Sequence, residues 1–360
     1  MILFDRRSFR AFDYALLGTM ALLYTLGVIL VASAGGPGYF RKQIVFAVVG
    51  ILLAVAVSII DYRRLMDRAY LLWGTVVLSL VGLLLFGAER AGARSWIDVG
   101  PIGIQPSELA KVVVILAIAR YFAEGDPRPF GLRGLYVPGL LAFVPFVLTA
   151  LQPDLGTAST FIPIVAGIAW VAGLRIATAV RLSLFGAALA PIGYFLLEDY
   201  QRARLFTFIN PDADPLGAGY QIVQSKIAVG SGGLLGKGLF SGSQSQLQFL
   251  PAQHTDLIFA VLGEELGFLG VAAALSLYLL LLLRVLQIGR QSRDRLGSFI
   301  CAGVAALLLC HLAQNVGMVI GFAPITGIPL PLLSYGGSSA LTTGIALGLV
   351  LSVRTRRFLN

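Results

Sequence analysis

The sequence predicts an all-α, polytopic integral membrane protein with about ten transmembrane helices and one large connection between the seventh and the eighth. Composition is the first reason. Of 360 residues, 57% are hydrophobic and only 12% are charged, about half the charged share of a soluble domain. So few charges cannot coat a water-soluble globule, and mean hydropathy is +0.85. The second reason is length: apolar runs close to the ~20 residues that cross a hydrocarbon core recur along the chain. The third is that basic residues concentrate in alternate connections between those runs.

The spans are expected at 12–33, 43–60, 69–87, 106–123, 135–151, 156–173, 178–197, 257–286, 298–321 and 336–353. Pro138 and Pro145 fall inside one of them, which is tolerable where neighbouring helices cover the freed backbone. Arg6, Arg7 and Arg10 precede the first run, and Ala32-Ser33-Ala34 resembles a cleavage site. The run is long for a signal sequence and long enough to span, so it reads as an uncleaved first helix. Cys301 and Cys310 lie in one span, about 13 Å apart along a helix, too far for a disulfide.

Ten spans put both termini on one side. The connections on that side hold 18 of the 27 basic residues, which predicts that both termini are cytoplasmic. Net charge is +9, and its placement between spans points to membrane topology rather than to nucleic acid. Residues 1–360 read as one membrane domain. The short basic connections leave little room for a site. The opposite connection, about 198–256, is long, and a connection of that length in a compact protein is usually functional. It holds apolar stretches at Leu205–Ile209 and Leu234–Phe240, and Ala218–Val229 reads as an amphipathic helix on the membrane surface.

Chemistry concentrates at a few places. Asp256 stands where the long connection enters the eighth span; it suits either a helix N-cap or a catalytic carboxylate. His254 beside it is a candidate base or ligand, although a lone boundary histidine is more often structural. Glu264 and Glu265 lie two turns deeper, where an ionisable group is costly and needs a partner. In Gln105-Pro106-Ser107-Glu108-Leu109-Ala110-Lys111, Glu108 and Lys111 share a face of the fourth span. They read as a bridge that sets packing and, compatibly, as the charged wall of a cavity, since a bridge can position Lys111 for a phosphate. Arg94, Arg202, Arg204 and Lys226 are cations on the loop side, suited to lipid phosphates in general or to a pyrophosphate. Gln152-Pro153-Asp154 and Ser334-Tyr335-Gly336-Gly337 complete the polar groups there. Gly236-Lys237 lacks the flanking residues of a P-loop, and two histidines cannot build a His-rich metal centre.

Taken together, Gln105 to Lys111, Gln152-Pro153-Asp154-Leu155-Gly156, Gly219-Tyr220-Gln221, His254 to Gly267 and Pro331 to Ser339 resemble the shape, elongation, division and sporulation family of bacterial membrane glycosyltransferases. Gly236-Lys237-Gly238 and Gly242 to Pro251 are more similar to its elongation branch than to its division branch. Ala252-Gln253 stand where that branch often carries a charged pair.

The resemblance implies polymerisation of lipid II into a growing glycan strand on the outer face of the bacterial cytoplasmic membrane, with a class B penicillin-binding protein as partner. It implies that Asp256 is the essential carboxylate. Asp256 is then the expected general base. Lys111, Arg94, Arg202 or Lys226 would neutralise the departing pyrophosphate, and Glu108 would orient Lys111. Gln105, Ser107, Arg204 and His254 would bind substrate or support the site. A divalent cation, Mg or Mn, remains an open cofactor, with Asp256 as a candidate ligand. Two other readings compete. A lipid II flippase needs a polar path through both leaflets, whereas the polar groups inside the spans cluster towards one. A non-catalytic scaffold for a penicillin-binding protein leaves Asp256 and the Glu108–Lys111 pair unexplained.

Overall fold

The structure is a computed structural model that describes residues 12–87, 95–99, 102–126, 129–195, 197–215 and 217–357. Helix α1 (Tyr14–Ile59) is broken at Gly36 into two limbs, and Asp13 caps its start by accepting from the Leu16 N–H at 3.0 Å. A connection was expected over 34–42; instead the second limb starts almost at once, at Pro37. Proline has no N–H to lose at the start of a helix. Next come α2 (Tyr62–Asp67) and α3 (Ala69–Phe86), then a short antiparallel hairpin of β1 (Ile97–Val99) and β2 (Ile102–Ile104) that the sequence reading did not anticipate. The chain continues through α4 (Pro106–Glu124), α5 (Tyr136–Ala150), α6 (Leu155–Ser159), α7 (Phe161–Ala172) and α8 (Ile176–Phe195). The long connection carries α9 (Asp199–Ile209), α10 (Ala218–Ser231) and α11 (Ser243–Gln246). Three long helices close the chain: α12 (Ile258–Arg290), α13 (Arg295–Ile320) and α14 (Gly337–Arg356).

Eight of the described helices are long and apolar enough to cross a membrane. The two limbs of α1 count as one among them. Helix α4 falls outside that set, with Glu108, Lys111, Arg120 and Glu124 along its length. Splitting α1 and adding α4 gives ten crossings, as the sequence predicts. Exposed Leu52, Leu71, Leu78 and Phe185 coat the outside, the surface a lipid solvent requires. Helix α4 and the last three helices supply much of the core, including Ile115, Ile118, Leu308 and Val350. The second limb of α1 packs on α14 where Gly50 meets Gly344 backbone to backbone, the close approach that small residues allow between membrane helices.

Both ends of the described chain meet on one face. Asp13 pairs with Arg284 at 2.8 Å and with Arg354 at 3.5 Å, and nearby Arg63 pairs with Asp294 at 2.9 Å.

The long connection is anchored to a break in α12. Gly267, at φ 63°, interrupts that helix. The carbonyls of Glu264 and Glu265 instead accept the N–H groups of Lys237 and Gly238, each at 3.0 Å. The N–H groups of Phe268 and Leu269 donate to Gly233 and Leu234, at 2.9 and 3.1 Å. In a membrane a broken helix persists only where something re-satisfies its backbone, and here residues 233–238 do so. The acidic side chains complete the anchor. Glu264 accepts from Lys237 Nζ at 2.8 Å and from the Gln244 N–H at 2.8 Å, while Glu265 accepts from Ser33 Oγ at 2.5 Å. The partners missing from the sequence reading of these two residues therefore come mainly from the long connection.

Candidate active site

Asp256 ends the turn that leads into α12. The N-cap position of that helix is Leu257, with no side-chain cap, so Asp256 does not serve as the cap. Its N–H donates to the Ala252 carbonyl at 3.1 Å. Its carboxyl lies beside Gly327, an exposed glycine at φ 72°. Burial pushes this carboxyl up to about 6. The Arg204 guanidinium and the Thr255 hydroxyl pull it back down, and the neighbouring Asp154 charge adds to the rise. A carboxylate tuned towards neutrality beside a cation is the pattern expected of a general base.

Arg204 comes from α9 and reaches across to donate to the Ile325 carbonyl at 3.3 Å. Between them lies a cavity of about 110 Å³ lined by Asp154, Gln201, Arg204, Pro324 and Thr326. Asp154 caps α6 by accepting from the Thr157 N–H at 3.0 Å, and its other oxygen accepts from Gln105 Nε2 at 2.7 Å. Burial raises its carboxyl as well. Gln105, Asp154, Arg204 and Asp256 are thus brought together from four separate parts of the chain.

The Glu108–Lys111 pair lies deeper. Lys111 Nζ donates to Glu108 Oε1 at 2.6 Å and stands 3.0 Å from His311 Nε2. Its side chain is 1% exposed. Lys111 is therefore buried as the partner of Glu108 and does not line the cavity described above. Ser107 is fully buried, and its hydroxyl has no hydrogen-bond partner among the described residues.

The remaining expected contacts are placed elsewhere. Arg202 closes the end of α8, donating to the Tyr194 and Phe195 carbonyls at 3.2 and 2.6 Å. His254 stacks on Tyr39 with ring centroids 4.1 Å apart and meets Tyr335 at 5.7 Å. Burial lowers its imidazole, which favours the neutral form. It packs among aromatic rings at the site's edge. Lys226 is exposed and lies against Gly321 at the C-terminal end of α13, where a helix dipole favours a cation. Arg94 lies outside the described residues.

His311 and Asn315 were missed. Both sit on one face of α13, one turn apart, and both are buried. The available signal was the spacing of polar residues inside a span, where each needs a partner.

Gly327 supplies a direct test of this geometry. An added Cβ there would stand 3.5 Å from the Asp256 carboxylate, on a backbone that side chains rarely adopt. Gly327→Ala therefore adds backbone strain of about 1 kcal/mol right beside the carboxyl, with the new methyl in ordinary contact with it. The expected result is a folded protein whose kcat/KM falls roughly tenfold, measured beside its melting temperature. Unchanged kcat/KM would show that the carboxyl works from another position.

Comparison with known proteins follows the same lines. The sequence model of the family described as "Cell cycle protein", covering FtsW, RodA and SpoVE, matches residues 11–358. The chain is 41% identical to the peptidoglycan glycosyltransferase MrdB of Escherichia coli K12 over 342 residues, covering 93% of this chain and 91% of that protein. It is 38% identical to the peptidoglycan glycosyltransferase RodA of Treponema pallidum, covering 98% and 99%. A chain from a solved structure, described as the structural coordination of polymerization and crosslinking by a peptidoglycan synthase complex, superposes with a TM-score of 0.84 at 36% identity, covering 97% of this chain and 99% of that one. With nearly its whole length matched in sequence and in fold, the chain belongs to the FtsW, RodA and SpoVE family.

Proposed function

We propose that this protein is a peptidoglycan glycosyltransferase that polymerises lipid II into glycan strands during cell elongation, with Asp256 as general base. The observation that carries the assignment of Asp256 is its carboxyl, raised to about 6, beside Gly327 and next to Arg204. In the reaction an acceptor sugar hydroxyl attacks the anomeric carbon of the donor. The bond to undecaprenyl pyrophosphate breaks on the opposite side, inverting the centre. Asp256 takes the hydroxyl proton, and the electron pair of the broken bond leaves with the pyrophosphate. That group needs positive charge in place before it departs. Arg204 is the best-placed cation, with Lys226 on the same connection, while the Glu108–Lys111 pair supports the Asp154 side from below.

The lipid tail needs a route from the membrane, because drawing a polyprenyl chain through water would cost about 0.8 kcal/mol per CH₂. Helix α8 suits such a route: Thr178 is its one buried residue, and Leu197, just beyond its end, lines the cavity. The face carrying Asp13, Arg63, Arg284 and Arg354 is cytoplasmic in this reading, and the site lies on the outer side of the bacterial cytoplasmic membrane. The similarity to a chain of a peptidoglycan synthase complex supports a crosslinking partner, a class B penicillin-binding protein. Among the described residues no three His, Cys, Asp or Glu side chains converge on a metal site. A Mg or Mn ion would be held by a carboxylate such as Asp256 together with substrate phosphate, the usual arrangement for Mg.

The test is polymerisation by the purified full chain in detergent with lipid II, with and without chelator and partner. Glycan product is expected from the full chain; translocation of lipid II without product would favour a flippase. The pH dependence identifies the base. Asp256 works only ionised, so kcat/KM is expected to rise through about pH 6, the free-enzyme value that this ratio reports. Arg204→Gln removes a charge that holds the carboxyl down, so the limb should move up. Asp154→Asn removes one that pushes it up, so the limb should move down. A limb fixed in both variants belongs to another group.

A further inference from the structure

Residues 324–330 form a strap with neither helix nor strand, and the parts of the site attach to its backbone. Arg204 donates to the Ile325 carbonyl, and His311 Nδ1 stands 3.1 Å from that of Pro329. Asn315 makes the central attachment. Its Nδ2 donates to the Asp256 carbonyl at 2.9 Å and to the Ile328 carbonyl at 2.8 Å. Two acceptors facing one side of the amide require its NH₂ there. Helix α12 begins late enough that the Ala260 N–H bonds to Leu257 rather than to Asp256. The Asp256 carbonyl is thus outside the helix ladder, and at this part-buried place it needs another partner. Asn315 provides one, and with the same nitrogen holds the residue that follows Gly327.

Resting on the assignment of Asp256 as base, we propose that Asn315 is a positioning residue: by joining the carbonyls of Asp256 and Ile328 it holds the Asp256 carboxyl against Gly327 and beside Arg204. It touches no substrate. It fixes the distance between the base and the strap that forms one wall of the cavity. A misplacement of about 1 Å at a reacting group costs on the order of 100-fold in rate, so a clamp on the backbone carbonyl of the same residue has leverage on kcat.

The experiment uses the full chain with lipid II and compares Asn315→Ala, Asn315→Ser and Asn315→Asp with the parent and with Asp256→Asn. Asn315→Asp keeps the shape but turns oxygens towards two carbonyls. The expected result is a fall in kcat of roughly 30- to 100-fold for Ala and Asp and a smaller fall for Ser, which keeps one donor. KM for lipid II stays within about twofold, and the rise of kcat/KM with pH moves away from the parental position. That limb reports Asp256 in the field of Arg204 and Asp154, which a purely structural loss of folded protein leaves in place. Parental kcat in a folded Ala variant overturns the inference. So does a loss that only follows the folded fraction, with the limb unmoved. If Ala does not fold, the Ser variant decides by the same two readouts. If Asp256→Asn keeps full activity, the assignment of the base falls; if it is inactive while Asn315→Ala is fully active, only the role of Asn315 falls.

Discussion

Asp256→Asn is expected to abolish polymerisation while leaving the protein folded and as stable as the parent, or more so, above pH 6. The substitution keeps the size and shape of the side chain and removes only its capacity to take a proton. General-base catalysis is typically worth 10²–10⁴-fold, so product should fall at least a hundredfold. The stability expectation follows from the same carboxyl. Its folded value of about 6 lies above the ordinary 3.8. A group raised in this way favours the folded state most when protonated, below about pH 4, and loses that advantage as pH rises towards 6. The parent therefore carries a desolvated charge above pH 6, and asparagine does not. Melting temperatures at pH 5 and pH 8 read the difference: the parent should lose stability between the two relative to the variant. Lost activity with unimpaired stability is the signature of a site that trades stability for function. Full polymerisation by the variant would falsify the base assignment.

How much of this was legible in the sequence depends on the range of the interaction. Spans were readable because hydropathy is local: about ten were expected, and eight of the described helices, one of them in two limbs, are long and apolar enough to cross. The break at Gly36 and the immediate start at Pro37 were blurred because a kink between two apolar runs barely changes the pattern. Asp256 stood out because an acid next to an apolar run is conspicuous. Its environment did not: Arg204, Gly327 and Asp154 lie about fifty to a hundred residues away in sequence. Lys111 was correctly paired with Glu108, since three residues on a helix fix their geometry. Its seal by His311 depends on a helix 200 positions later. His311 and Asn315 were passed over because a polar residue in a span shows its purpose only once its partner is known. Glu264 and Glu265 posed the same problem: their depth signalled a partner, and only the folded connection shows which one.

The second large effect is expected at Glu264, and there the loss should be of structure before chemistry. Its side chain is fully buried and accepts from Lys237 Nζ, Ser243 Oγ and the N–H groups of Gln244 and Ser245. Glu264→Ala removes these acceptors together. Lys237 is 28% exposed and can turn to water, but the two N–H groups at the start of α11 are left without their acceptor. Leaving a buried donor unsatisfied costs about 1–3 kcal/mol each, together roughly a 30- to 10⁴-fold shift in the opening of whatever Glu264 holds shut. What it holds is the connection over 233–247, tied to α12 at the Gly267 break. The ten spans keep their own contacts, so the cost should appear as local opening rather than global unfolding. Hydrogen exchange in 233–247 should accelerate while the core of α13 and α14 stays protected, and protease should cut there first. Lys237→Ala should do the same more weakly, because it leaves Glu264 its backbone donors. Activity should fall in the Glu264 variant because residues 233–247 lead into the turn that presents Asp256. Uniform loss of protection across the spans would instead make Glu264 a determinant of the whole bundle.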